Sequence, residues 1–169
     1  MRVFVAGGSG VLGRRLVPRL VARGHRVTAT TTRAAGLEPL DPMTGTAAEP
    51  GMAALAHVED VVVRAGGAVL RYGWFYGPGA TADLAEPVRK RRFPVVGGGA
   101  GHCSWVHLDD AAAATVLAVE QSARGVFNIV DDEPAPASEW LPHLAACAGA
   151  GRPMRVPAWL ARPLAGAWR

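Results

Sequence analysis

Met1-Arg2-Val3-Phe4-Val5-Ala6-Gly7-Gly8-Ser9-Gly10-Val11-Leu12-Gly13-Arg14-Arg15 is the stretch whose reading decides the fold. Arg2 to Ala6 is a short β-branched run ending at Gly7, which reads as a buried strand. From Val11 to Ala22 the apolar residues Leu12, Leu16, Val17, Leu20 and Val21 recur at helical spacing, and Gly24 stands where a helix should stop. Pro18 lies inside this pattern and predicts a kink. A second strand follows from Arg26 to Thr32, closed by Arg33. Residues 1–33 therefore form one βαβ unit of the expected length.

Gly7, Gly10 and Gly13 sit at Gly-x-x-Gly-x-x-Gly spacing. With 21 glycines in 169 residues the string alone is weak; its place between strand and helix carries the weight. Such glycines permit a tight turn, let an anion approach the backbone, and let helix and strand pack closely. Residues Gly7, Gly8, Ser9, Gly10, Val11, Leu12, Gly13 and Arg14 are thus the expected cradle of a dinucleotide pyrophosphate. A turn that binds nothing is the competing reading. A carboxylate at the end of the second strand would accept hydrogen bonds from an adenosine ribose. Thr30, Thr31, Thr32 and Arg33 stand there instead, and no acid precedes Glu38. Arg33, assisted by Arg14, suits a 2′-phosphate, so NADP is favoured over NAD.

The net charge of +4 does not argue for nucleic acid. It is nearly all arginine, spread along the chain, with Lys90 the only lysine and Arg89-Lys90-Arg91-Arg92 the only run. Cys103 and Cys147 have no metal-ligand spacing, so no metal is expected and both thiols read as reduced. The longest apolar stretch beyond the start, Ala111 to Val119, is about half a membrane span. The expectation is a soluble, cytoplasmic protein with neither membrane nor nucleic-acid partner.

Residues 34–50 break the pattern with Gly36, Pro39, Pro42, Gly45 and Pro50, and read as a loop. Helical spacing returns from Met52 to Gly66-Gly67, followed by a strand, Ala68 to Tyr72. A helix is expected from Ala82 to Arg91, with extended pieces at residues 93–96 and 103–106. Asp109-Asp110 opens a helix through Gln121. Val126 to Val130 reads as a strand, Ser138 as the N-cap of a helix through Ala148, and the tail as an amphipathic helix carrying Trp159, Leu160, Leu164 and Trp168.

Three further segments complete a resemblance. Leu70-Arg71-Tyr72-Gly73-Trp74-Phe75-Tyr76-Gly77-Pro78-Gly79 resembles the Leu-Arg-Pro-x-x-x-Tyr-Gly-Pro-Gly segment of extended short-chain dehydrogenases/reductases, the NAD-dependent epimerase/dehydratase family. Trp105-Val106-His107-Leu108-Asp109-Asp110-Ala111 is similar to its Phe-Val-His-Val-Asp-Asp-Val segment, and Phe127-Asn128-Ile129-Val130-Asp131-Asp132-Glu133-Pro134 to its Tyr-Asn-(Ile/Val) strand in the C-terminal lobe. With the glycine motif these occur in family order. The resemblance implies a Rossmann-like α/β fold with a parallel sheet and a small C-terminal α/β substrate lobe. It also implies a nicotinamide dinucleotide partner and a small-molecule substrate, either a nucleotide sugar or a hydroxy or keto compound. By that analogy Arg71 and Tyr72 lie at the nicotinamide end, and Trp74, Phe75, Tyr76 and Arg92 on the substrate side. His107 and Asp110 are cleft residues or structural ones, with an N-cap the favoured role for Asp110.

The chain departs from the family in two ways. Its reaction uses a tyrosine and a lysine one helical turn apart, and no Tyr-x-x-x-Lys occurs here. The only tyrosines are Tyr72 and Tyr76, and matching by position puts Gly51 and Leu55 in the pair's places. Tyr76 and His107 are the remaining candidates for proton transfer. Second, residues 34–50 stand where three strands and their helices would be. The expected architecture is therefore a single truncated domain: the βαβ unit of residues 1–33, a loop at an internal deletion (34–50), and the rest of the core with the lobe (51–169), its C-terminus shortened. Either the Leu70 strand pairs directly beside the first strand or a second chain completes the sheet, with a homodimer or poor solubility expected. The functional readings are an atypical oxidoreductase or epimerase, a non-catalytic dinucleotide binder or regulator, and an inactive remnant.

Overall fold

The structure is a computed structural model that describes residues 1–5, 8–29 and 48–161, the side chains of 48–55 excepted. Gly7, Arg33, most of the loop at 34–50 and the end of the tail lie outside the described residues. These divide into two units, Met1–Tyr72 with Leu108–Ile129, and Gly73–His107 with Val130–Arg169.

The first unit holds β1 (Arg2–Val5), α1 (Gly13–Ala22), β2 (Arg26–Ala29), α2 (Ala48–Arg64), β3 (Ala68–Tyr72), α4 (Leu108–Glu120) and β8 (Gly125–Ile129). In the second lie β4 (Trp74–Tyr76), α3 (Thr81–Arg89), β5 (Val95–Val96), β6 (His102–Cys103), β7 (Trp105–His107), β9 (Ala135–Pro136), α5 (Ala137–Cys147), β10 (Arg155–Val156) and α6 (Ala158–Ala161).

β1 and β2 pair in parallel, Val3 opposite Val27, with α1 as the crossover between them. The helix continues through Pro18, and the N–H of His25 closes its end by bonding the Leu20 carbonyl at 3.1 Å. The apolar stripe read from the sequence is its packed face. Leu20 and Val116 are fully buried, Leu16 nearly so, and Val3, Val5, Val27 and Val119 pack around them. Ala111 and Ala112 are also buried, so α4 presents small side chains inward. Ion pairs brace the same helix pair: Asp109 takes Arg15 at 3.3 Å and Arg19 at 3.0 Å, and Glu120 takes Arg23 at 2.5 Å.

β3 pairs in parallel with β8, Leu70 opposite Phe127, and among the described residues neither is hydrogen-bonded to β1. Direct pairing of the Leu70 strand with the first strand is therefore not the solution this chain adopts. A cavity of about 510 Å³ lies between the two strand pairs, edged by Arg2 and Phe4 on one side and Ala68 and Leu70 on the other, with Thr115 and Val119 of α4 beneath. Among the described residues the sheet of this Rossmann-like α/β fold is interrupted between β1 and β3.

In the second unit β4 pairs with β7 and β5 with β10, both parallel, while β6 and β9 are antiparallel. Its core is Val88, Val95, Leu141 and Ala145, with Phe93, Trp140 and Leu144 packed against them. Several boundaries differ from expectation. α2 starts at Ala48, within the segment read as loop, because Pro50 falls in its first turn, where no N–H is required. The N-cap of α5 is Pro136 rather than Ser138, which lies inside the first turn. Trp74–Tyr76, read only as a segment after the Leu70 strand, is itself a strand. Among the described residues no helix is long and apolar enough to cross a membrane.

Candidate functional site

Each unit contributes a candidate site, beginning with the turn before α1. Gly8 lies so close to β2 that a Cβ added there would stand 2.6 Å from the Ala29 Cβ. A side chain at this position would force turn and strand apart. Gly10 is exposed, and its carbonyl accepts the Arg14 N–H at 3.0 Å; Arg14 Nε donates to the Ser9 carbonyl at 2.6 Å. Val11 is exposed, Leu12 half-buried and Gly13 buried where the helix leaves the turn. The N-cap is Leu12, whose side chain provides no cap, and the first turn holds no acid. Such an end carries amides without intrahelical partners and the positive pole of the helix. The residues present therefore fit a diphosphate: a positive helix end with no internal anion, an arginine across the turn, and glycine at the exposed bend.

At the C-terminal end of β3, Arg71 holds Glu59 of α2 in a bidentate pair, Nε to Oε1 at 2.8 Å and Nη2 to Oε2 at 2.5 Å. This pairing keeps the Glu59 carboxyl below its ordinary range and raises the Arg71 guanidinium. Tyr72 Oη lies 2.5 Å from Thr115 Oγ1, and Thr115 spends its own hydrogen on the Ala111 carbonyl at 2.7 Å. The phenol must therefore be the donor. Burial pushes its pKa up, so it stays protonated near neutrality.

In the second unit β4 and β7 set Tyr76 directly opposite His107. Their rings meet edge to face, centroids 5.1 Å apart. Gly77 has φ +108°, and a Cβ on it would come within 2.5 Å of His107 Nε2, so the imidazole is seated on bare backbone. The two proton-transfer candidates are thus neighbours. Asp110 is exposed in the first turn of α4 rather than capping it, because the helix begins at Leu108; the neighbouring Asp109 carries the arginine pairs.

Tyr76 also walls a cleft of about 340 Å³ shared with Trp105, Trp140, Asp131, Glu133 and His143. Trp74, Phe75 and Arg92, the other expected substrate-side residues, do not line it. Trp74, Trp105, Trp140 and Phe93 follow one another in edge-to-face contacts, with centroids 5.9, 5.1 and 5.8 Å apart. The cleft was largely hidden in the sequence. Trp140, His143, Leu144 and Cys147 do carry a signal, for their i, i+3, i+4, i+7 spacing puts them on one face of α5. His143 Nε2 lies 3.7 Å from Cys147 Sγ. Nearby, burial pushes the Cys103 thiol up, partly countered by the Trp140 indole. No group of three or more potential metal ligands occurs among the described residues.

No protein-family model matches the chain. It is 41% identical over 158 residues to a 3-diazoavenalumate denitrifying reductase of a Streptomyces species, an alignment covering 88% of this chain and 52% of that protein. The chain thus spans about half the length of the curated relative it matches. A human epimerase family protein solved with NADPH superposes with a TM-score of 0.67 at 19% identity, covering 96% of this chain and 85% of that one. Thermus thermophilus UDP-glucose 4-epimerase in complex with NAD gives a TM-score of 0.67 at 20% identity, covering 93% and 86%. These likenesses show the fold: the Rossmann-like α/β architecture of NAD(P)-binding epimerases.

Proposed function

We propose that the chain is a nicotinamide-dinucleotide-binding, reductase-type protein of the extended short-chain dehydrogenase/reductase kind, shortened by an internal deletion and lacking the Tyr-x-x-x-Lys pair. The observation that carries this is the glycine turn running into an uncapped, acid-free helix N-terminus. The relative named as a reductase supports reduction over epimerisation. Gly7, Gly8, Ser9, Gly10, Val11, Leu12 and Gly13 hold the diphosphate through backbone amides, and Arg14 and Arg33 favour NADP over NAD. Arg71 and Tyr72, whose side chains already have protein partners, contribute at the nicotinamide end through the carboxyl end of β3. When bound, the reduced nicotinamide supplies a hydride to an electrophilic centre. The chain's own part is to orient the substrate and supply a proton, from the Tyr76 hydroxyl or the His107 imidazole.

Titration with NADPH and NADH is expected to show uptake of both, NADPH the tighter; heat-silent titrations with both would end this reading. Tyr76→Phe and His107→Ala are expected to lower turnover, at least one of them by about 100-fold, the usual scale of general acid catalysis. Unchanged turnover in both leaves the non-catalytic binder, a reading that the residues Gly51 and Leu55 in the pair's places favour.

The partner proposed for the sheet is a second copy of the chain, its strands completing the edges of β1 and β3 that are unpaired among the described residues. Sedimentation equilibrium should give a dimer mass that dissociates on dilution. A monodisperse monomer at all concentrations would remove the proposal.

A further inference from the structure

The cleft walled by Tyr76, Trp105 and Trp140 has a charge character of its own. Its acids, Asp131 and Glu133, stand with no arginine or lysine among the described residues that line it. Among the described residues His143 is the one other basic side chain that lines it, and no ion pair between either acid and a cation is seen among them. A nucleotide sugar brings a diphosphate with two negative charges. Placing it beside two carboxylates with no fixed cation is unfavourable in any dielectric below that of water.

The walls indicate what would be welcome. Three aromatic side chains, Tyr76, Trp105 and Trp140, present ring surface. Aromatic faces attract cations as well as other rings. A volume of about 340 Å³ sits at the small end of ligand clefts, enough for a compound of one or two rings.

We infer that this cleft selects a small aromatic compound bearing a positively charged nitrogen group, and rejects nucleotide diphosphates. The ring packs against Tyr76, Trp105 and Trp140, and the cationic end is held by Asp131 and Glu133. This assignment rests on the cleft being the substrate side of a reductase-type protein, but the binding itself needs no dinucleotide.

The experiment is calorimetric titration of the full chain, without dinucleotide, with three probes: tyramine, 3-(4-hydroxyphenyl)propionate and UDP-glucose. The first two share a phenol ring and differ in carrying an ammonium or a carboxylate. Tyramine is expected to bind at least tenfold more tightly than the propionate, and UDP-glucose to give no saturable heat. The double variant Asp131→Asn, Glu133→Gln should lose that tenfold preference; its folding is checked by circular dichroism, and Arg64→Gln serves as a charge-changing surface control that retains the preference. Equal binding of the two phenols, tighter binding of the propionate or UDP-glucose, no binding of tyramine, or a preference that survives in the double variant would each overturn the inference. A chain that binds tyramine selectively but takes up neither NADPH nor NADH would keep this site and lose the reductase reading.

Discussion

Gly10→Asp is expected to weaken NADPH binding by about 100-fold or more, equivalent to about 2.7 kcal/mol, without lowering the melting temperature. Gly10 is exposed at the bend. Its carboxylate would stand at the positive end of α1, where an acid stabilises a helix by about 0.3–1 kcal/mol. The same charge that suits the acid-free helix end opposes a diphosphate approaching it. Binding and stability should therefore move in opposite directions, a signature that general damage to the fold does not produce. Calorimetric titration with NADPH and a thermal melt on the same samples decide it. An affinity within about threefold of the parent, below roughly 0.7 kcal/mol, would show that the turn is not where the dinucleotide binds.

Leu20→Ala is expected to cost about 2–5 kcal/mol, the range for a large-to-small change at a fully buried site. Leu20 is completely buried among Leu16, Val116 and the valines of β1 and β2, so its removal leaves a cavity where α1, α4 and the first strand pair meet. For a chain of this size the melting temperature should fall by roughly 5–15 °C. Val21→Ala, on the next residue but 55% exposed, should stay within about 0.5 kcal/mol. Similar melts for the two variants would mean that α1 is not packed as described.

The parts legible in the sequence were those whose signals are local. Ala68–Tyr72 is an apolar strand bracketed by Gly66-Gly67 and Gly73, and the structure starts and stops it at the expected residues. The α1 stripe needed only the 3.6-residue period. β4 was not legible as a strand, because three residues between glycines show no periodicity; it is extended through its pairing with β7, some thirty residues along the chain. The start of α2 was hidden by a proline that a first turn tolerates. The cleft was hidden for a related reason. Asp131 and Glu133 follow β8 in irregular backbone, and only the fold brings them beside Tyr76, Trp105 and one face of α5. Resemblance located Tyr76 and His107, but the opposition of their rings is a matter of β4–β7 register.

The interruption between β1 and β3 changes what resists a pulling force. In an unbroken sheet, drawing one strand laterally from the next ruptures a ladder of hydrogen bonds together. Among the described residues no such ladder links the two strand pairs, while α4, inset with Ala111 and Ala112, packs on α1 and reaches β3. Under tension across this unit, cohesion comes from side chains sliding past one another. Among the described residues the weakest mechanical axis accordingly runs across the strands, between β1 and β3.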